Sequence, residues 1–357
     1  MQAALDIARF TAEDPFGGLA DAHLMAKDLP DLDLYHPWDL QPEDAVELAR
    51  RCEAAGLQAH PAIVNSDGAS VASGQSLRGY GNSHGLVTVY PLSRHAVSCA
   101  LIAKQDDRME RGGWSFSHRV PTFLPDVDSI GRKAAERASR RLGSRSIPTC
   151  DVPVLFAAEI AGGLLGHLIG AISGGNLYRH ASFLEGALGQ TLFPAWMTIN
   201  ENPRLSRETG SAPIDGDGLP TADKDFIRNG ELVSYVLGTY SARKLGMAST
   251  ANAGGVRNVR CSATHSLDDL LRTMGRGVLV TDVMGQGVNL LTGDYSRGAA
   301  GFWVEDGAIQ YPVSEITIAG NLRSMFTDLV GVGTDIDSRG NVQTGSILLG
   351  RMKVGGR

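Results

Sequence analysis

One apolar stretch constrains the fold more than any other feature. Residues Val152–Gly175 read VPVLFAAEIAGGLLGHLIGAISGG, long enough to cross a bilayer. Glu159 and His167 lie inside it, and a carboxylate near a bilayer centre costs several kcal/mol. The stretch also divides naturally. Val152–Phe156 is β-like, and the residues after it are rich in Gly and Ala. The pattern therefore predicts a buried strand feeding a buried helix, with no membrane span. Four glycines, Gly162, Gly163, Gly166 and Gly170, fall within nine residues of that helix. Each costs about 1 kcal/mol relative to Ala in a helix interior. Gly162, Gly166 and Gly170 repeat every four residues and share one face. A face without side chains predicts close packing against a β-segment of the same domain, with a subunit contact as the lesser alternative.

The chain has 357 residues, which sets a prior of about two domains. Lys and Arg number 33 against 39 Asp and Glu, a net charge of −6. No basic excess exists to displace the counterions of nucleic acid, which excludes a phosphate-binding chain of that kind. Glycine is the outlier at 44 residues and implies many tight turns. Cys52, Cys99, Cys150 and Cys261 form no C-x-x-C pair and no disulfide framework, so a reducing compartment is expected. Met1–Arg9 reads as the last turns of a helix and lacks the basic and apolar regions of a signal peptide.

The expected fold class is α+β, in two domains. Residues 1–145 form a helix-plus-antiparallel-sheet domain, and residues 146–357 a larger β-rich domain with interspersed helices. Residues 1–40 read as loosely organised. Pro42 opens a helix with Glu43 and Asp44 in its first turn, and the helix stops at Gly56. Short β-like runs follow at Ala62–Val64, Ser70–Ser73, Leu86–Tyr90 and Val97–Lys104. Asp126–Leu142 is an amphipathic helix with Ile130, Ala134, Ala138 and Leu142 on one stripe. Its Arg132, Lys133, Arg137, Arg140 and Arg141 are read as a solvated face. Gly143–Pro148 marks the boundary. Asn229-Gly230 and Asp306-Gly307 between apolar runs predict hairpins. Helices are expected at Ser241–Leu245 and at Ser266–Met274, the latter capped by Ser266. Gly277–Val283 and Ser346–Val354 read as strands.

Catalytic motifs are sparse. No phosphate loop and no dinucleotide fingerprint is present. Gly81-Asn82-Ser83-His84-Gly85 matches G-x-S-x-G, but Leu86–Tyr90 after it alternates like a strand, where a nucleophile elbow needs a helix. It reads as a turn between strands. Cys261 and His265 are four apart, with no third ligand nearby to complete a zinc site. On the residues alone, His167 is expected to be a hydrogen-bonded helix histidine near a close packing contact.

The run Glu159–Gly175 resembles the PmbA/TldE branch of the PmbA/TldD family. So do Tyr240–Gly246, Met284–Val288, Thr292–Trp303 and Glu315–Leu322. The resemblance covers nearly the whole chain. It implies a cytoplasmic metallopeptidase system, with a small αβ module upstream that is largely absent here. In the TldD branch this helix carries H-E-x-x-x-H, and a cysteine near the carboxyl end completes a zinc site. Carried onto this chain, the motif falls on Gly162, Gly163 and His167, so only the second histidine survives. The cysteine falls in the loop Asp335–Gly345, which has none. The resemblance therefore implies no catalytic residue, no metal and no cofactor in this chain, with zinc held by a TldD-type partner. It implies a non-catalytic subunit of a TldD/TldE complex acting on unfolded peptide, with a homodimer as the alternative assembly. The family is linked to maturation of a peptide antibiotic, degradation of an antitoxin and modulation of DNA gyrase. Two other readings stay open: an autonomous hydrolase with an unrecognised site, and a non-enzymatic antitoxin or gyrase modulator.

Overall fold

A proline at the first helical position and a carboxylate pair behind it start the helix Pro42–Leu57 as expected. The computed structural model describes residues 2–356. Met1 and Arg357, the ends of the two expected domains, lie outside the described residues. The first part of the chain contains α1 (Gln2–Phe10), α2 (Pro42–Leu57), β1 (Ile63–Gly81), β2 (Val87–Gln105), β3 (Arg108–His118) and α3 (Val127–Ser139). The three strands form one antiparallel sheet in the order β1-β2-β3. Cys52, Val97, Cys99, Leu101, Ile130 and Ala134 are buried where α2 and α3 pack on it.

Two features depart from the sequence reading. The four short β-like runs belong to two strands of nineteen residues each, continuous from Ile63 to Gly81 and from Val87 to Gln105. Gly74-Gln75-Ser76, which follows the second of those runs, pairs with Leu92–Arg94 of β2. Cross-strand pairing overrides the weak local preference of Gly and Ser. The third strand was not expected at all. Its turn uses Asp106 at φ 54°, a left-handed residue without the Gly that signals hairpins.

Close packing of glycines also occurs here, where it was not expected. A Cβ on Gly131 of α3 would sit 1.9 Å from the Cys52 carbonyl oxygen of α2, and one on Gly56 would sit 2.8 Å from the Gly131 carbonyl. Those two glycines let α2 and α3 cross with their backbones almost in contact.

The second part contains β4 (Cys150–Phe156), α4 (Ala158–Ala171), α5 (Gly174–Leu177), β5 (Ile199–Glu201), β6 (Lys224–Arg228), β7 (Glu231–Leu232), α6 (Thr239–Leu245) and β8 (Val259–Cys261). After these come α7 (Leu267–Met274), β9 (Gly277–Met284), β10 (Asp294–Glu305), β11 (Ala308–Asn321), α8 (Leu322–Thr327), β12 (Leu329–Val332), β13 (Val342–Gln343) and β14 (Ile347–Gly355). One sheet runs β11-β10-β9-β4-β14-β12, and β11 also pairs with β14. The sheet therefore closes on itself as a ring of β11, β10, β9, β4 and β14. Only β4 and β9 run parallel within it. A smaller sheet runs β13-β8-β5-β6-β7. The largest core lies between the ring, α4 and this small sheet, and includes Phe156, Leu165, Leu168, Phe193, Phe226 and Phe326.

The architecture is α+β. The Asn229-Gly230 turn has both residues at positive φ (49° and 83°), as does Asp306-Gly307 (52° and 72°). Ser266 caps α7 in a capping box with Asp269. Gly81 ends β1 and Asn82–Gly85 lies in the turn to β2, with no helix after Ser83. Val152–Gly175 is strand β4 followed by α4. Among the described residues no helix is long and apolar enough to cross a membrane.

Candidate functional site

The site is built on α4. β4 delivers the chain into the helix, but Ala157 at the N-cap offers no capping side chain. The cap comes from another part of the chain. The Ala158 N–H donates to Ser346 Oγ (3.1 Å), and that hydroxyl donates to Asp335 Oδ2 (2.7 Å). Asp335 Oδ1 accepts the Ser346 N–H (3.0 Å). One carboxylate and one hydroxyl thus satisfy an otherwise orphaned helix amide. Glu159 in the first turn suits the helix dipole and pairs with Arg137 of α3.

The inward face of α4 is Ala161, Leu164, Leu165, Leu168 and Ala171, all buried. The outward face carries Glu159, Gly163, Gly166, His167 and Gly170. Gly163 and Gly166 are exposed.

The expected site residues have different neighbours. A Cβ on Gly162 would lie 3.1 Å from the Val342 carbonyl oxygen. Val342 belongs to the segment Asp335–Gly345, so the helix position and the loop that the family's zinc motif would use do come together. Gly170 faces Leu290 Cδ1 at 3.1 Å. Gly166 and Gly163 meet nothing within 4 Å. The close intradomain contact expected of Gly166 is therefore absent among the described residues, because this side of the helix turns away from the core.

His167 sits half-buried on the rim, edge-on to Tyr295 with ring centroids 5.9 Å apart. No hydrogen bond reaches its ring among the described residues, which corrects the expected hydrogen-bonded histidine. Burial, with Arg297 nearby, holds its pKa below the ordinary value. Burial also pushes Tyr295 up to about 12.

Zinc does not fit these residues. Gly162 and Gly163 have no donor atom, the Val342 main chain closes on Gly162, and the Asp335–Gly345 loop has no thiol. His167 remains as a single imidazole, whereas zinc sites use three or four protein ligands. Among the described residues, no group of three or more His, Cys, Asp or Glu side chains is arranged to hold a metal. Cys261 hydrogen-bonds Thr344 Oγ1 at 3.1 Å, and burial raises its thiol pKa, which keeps it a poor nucleophile. His265 Nδ1 contacts Thr264 Oγ1 at 2.6 Å instead of a ligand set.

A second element of the site was not legible in the sequence. The Asp335–Gly345 loop bridges the first part of the chain to α4. Arg339 is held by Asp337 (2.6 Å) and lies 3.6 Å over the Trp114 ring of β3. Arg137 faces the same ring at 5.4 Å, and Arg141 pairs with Glu110 (3.2 Å) and Asp282 (3.5 Å). Arg137 and Arg141 are largely covered (side chains 15% and 24% exposed), so of the expected solvated basic face these two depart from the reading, whereas Arg132 and Lys133 face solvent (56% and 40% exposed). Beside them lies a cleft of 410 Å³ whose walls include Trp114, Phe116, Leu279, Thr281 and Ile336. The available signal was the alternating Asp335, Asp337 and Arg339.

Family models match most of this chain. The PmbA/TldA metallopeptidase central domain matches residues 35–142, and the C-terminal domain of the same proteins matches residues 149–356. The chain belongs to the PmbA/TldD family. It is 48% identical to Metalloprotease PmbA of Escherichia coli O157:H7 over 358 residues, covering 100% of this chain and 80% of that protein. It is 24% identical to a Metalloprotease TldD homolog of Haemophilus influenzae, over 65% of this chain and 52% of that protein. Among solved structures, a Bacteroides thetaiotaomicron protein named as a modulator of DNA gyrase superposes with a TM-score of 0.94 at 26% identity. That match covers 100% of this chain and 82% of the other. TldE from Thermococcus kodakarensis shares the fold, with a TM-score of 0.83 at 21% identity over 99% of this chain and 83% of that one.

Proposed function

We propose that this chain is the non-catalytic, PmbA/TldE-type subunit of a cytoplasmic TldD/TldE-type peptidase complex acting on unfolded peptides. One observation carries the reading. At the helix positions that need a ligand and a general base, the chain has Gly162 and Gly163, and the Val342 backbone lies against the first of them. A general base contributes typically a hundredfold or more, and a glycine cannot supply it. In this reading the zinc site belongs to the TldD-type partner, where a bound metal would supply the activation of water. The contribution of this chain is structural: α4 offers an open glycine face that another backbone can approach closely. The much higher identity to PmbA relatives than to the TldD homolog supports the assignment.

The test is reconstitution. This chain and a TldD-type subunit are purified separately, and hydrolysis of an unfolded peptide is followed for each and for the mixture, with and without chelator. The expected result is activity in the mixture, abolished by chelator, and none from this chain alone. Chelator-resistant hydrolysis by this chain alone would overturn the proposal in favour of an autonomous hydrolase.

A further inference from the structure

The first part of the chain leaves one strand edge open inside a cleft. β1 pairs with β2 along its whole length, but β3 covers only His95–Gln105 of β2. Residues 87–94 therefore have no strand on that side. The Ser93 N–H points there and donates to the Leu34 carbonyl oxygen (3.1 Å). The register through Val87–Ser93 has no bulge, so Val87, Val89 and Pro91 direct their main-chain groups the same way as Ser93. No hydrogen bond meets the Val89 N–H, the Val89 carbonyl or the Pro91 carbonyl on that side among the described residues.

Facing this edge is a second extended segment, Leu29–Tyr35. Leu32 and Leu34 are buried, whereas Asp31 and Tyr35 point outward. The two segments touch at Ser93 and Leu34, and the cleft between them is lined as far as Thr88 on one and Leu29 on the other. The fork between them is a cleft of 450 Å³, lined by Leu29–Tyr35, Thr88–Pro91 and Pro213. That volume is within the range of about 300–1,000 Å³ usual for ligand sites. The fork is held at both ends. Tyr35 Oη donates to Gln75 of β1 (2.5 Å), and Tyr80 Oη near the hairpin tip donates to the Asp217 carbonyl (2.7 Å). Arg207 pairs with Asp33, and His36 Nε2 lies 3.1 Å from the same carboxylate. Asp31 accepts only the Asp33 N–H (2.8 Å) and has no ion-pair partner among the described residues. No Lys or Arg lines the cleft.

We propose that this cleft binds an extended peptide segment carrying a basic side chain, as an added strand on the Val87–Pro91 edge. The main-chain groups of Val89 and Pro91 supply sequence-independent hydrogen bonds, and the walls select side chains. Val89, Pro91 and Pro213 receive apolar residues, and Asp31 receives the cation. The cleft shares no residue with the α4 site, and its test does not depend on hydrolysis.

The probe is a fluorescein-labelled, acetylated Val-Lys-Val-Lys-Val peptide, titrated against the whole chain by fluorescence anisotropy. A Val-Glu-Val-Glu-Val counterpart and two Lys peptides N-methylated at alternate positions complete the set. Binding of the Lys peptide is expected to exceed that of the Glu peptide. One N-methylated peptide should lose about tenfold in affinity and the other should bind like the parent, since only one set of N–H groups faces β2. Val89→Pro should weaken binding about tenfold while keeping the melting temperature, because the lost N–H faces away from β1. Asp31→Asn keeps the turn acceptor and should abolish the preference for Lys over Glu. Failure of the parent protein to bind, equal binding of both N-methylated peptides, or equal binding of Lys and Glu peptides would each overturn the proposal. The N-methylated pair decides the matter even if Val89→Pro does not fold.

Discussion

The glycines of α4 make opposite predictions within one helix. Gly163 and Gly166 are exposed, adopt ordinary helical φ, and have no atom within 4 Å of where a Cβ would stand. Replacing either with Ala removes an entropic cost of about 1 kcal/mol and introduces no collision. The double substitution should stabilise the isolated chain by about 2 kcal/mol. With about 2–4 °C per kcal/mol for a domain of 150–250 residues, the melting temperature should rise by about 4–8 °C. Gly162→Ala gains the same helical preference but places its Cβ 3.1 Å from the Val342 carbonyl. Val342 cannot easily retreat, because β13 pairs with β8 at Val259 and the Val259 N–H donates to the Asn341 carbonyl (2.8 Å). Gly162→Ala should therefore leave the melting temperature unchanged or lower it. Differential scanning calorimetry of the three variants and the parent reads this directly. A bulkier change separates folding from assembly. Gly166→Leu should melt like the parent when alone, yet fail to co-purify with a TldD-type subunit. A fall in melting temperature for Gly163→Ala or Gly166→Ala would refute the reasoning, since it requires that this face is covered within the chain itself.

Three further outcomes are expected. After chelator washing and reloading, metal analysis should find well under one equivalent of zinc per chain; tight stoichiometric zinc would reopen a catalytic role. Asp335→Ala should destabilise by about 1–3 kcal/mol, because it strands the buried Ser346 hydroxyl and N–H, and amide exchange at Ala158 should accelerate more than in Asp335→Asn. His167 has a folded pKa below its unfolded value of about 6.5, so the unfolded chain takes up the proton first as pH falls. Its contribution is therefore present above about pH 6.5 and is lost on acidification below it, and His167→Gln should flatten the stability profile between about pH 7 and 5. A His167 resonance titrating above 6.5 would count against that assignment.

The elements with strong local signals were legible in the residues. Pro42 with Glu43 and Asp44 opens α2, Ser266 with Asp269 caps α7, and Asn229-Gly230 and Asp306-Gly307 turn their hairpins, because each of these groups acts within a few bonds of itself. What stayed hidden depends on distant partners. Gly74-Gln75-Ser76 is a strand only because Leu92–Arg94 lies beside it. Asp335 reads as a loop acid, and nothing nearby in the chain says that it holds the start of α4 through Ser346. The glycine repeat at Gly162, Gly166 and Gly170 does not say which of its members is covered: Gly162 and Gly170 meet Val342 and Leu290, and Gly166 meets nothing within 4 Å. Burial of Leu164, Leu165 and Leu168 decides the orientation, and it turns Gly166 outward. The close crossing of α2 and α3 rests on Gly56 and Gly131, one glycine in each helix, a pattern with no period to notice.

The closed ring of strands also has a consequence for synthesis. β14 pairs with β4, β11 and β12, so Cys150 finds its partner in Val354, about two hundred residues later. Translation proceeds at about 5–20 residues per second, and domains fold as they emerge. The α2-β1-β2-β3-α3 unit can form while the ribosome is still working, because its pairings are nearly all between neighbours. The ring cannot: until Ile347–Gly355 is released, β4 and β11 each present a bare edge. A ribosome that stalls before Ile347–Gly355 emerges would hold a chain with a finished first unit and two sticky strands, which makes the wait for that strand the interval in which chaperone demand should peak.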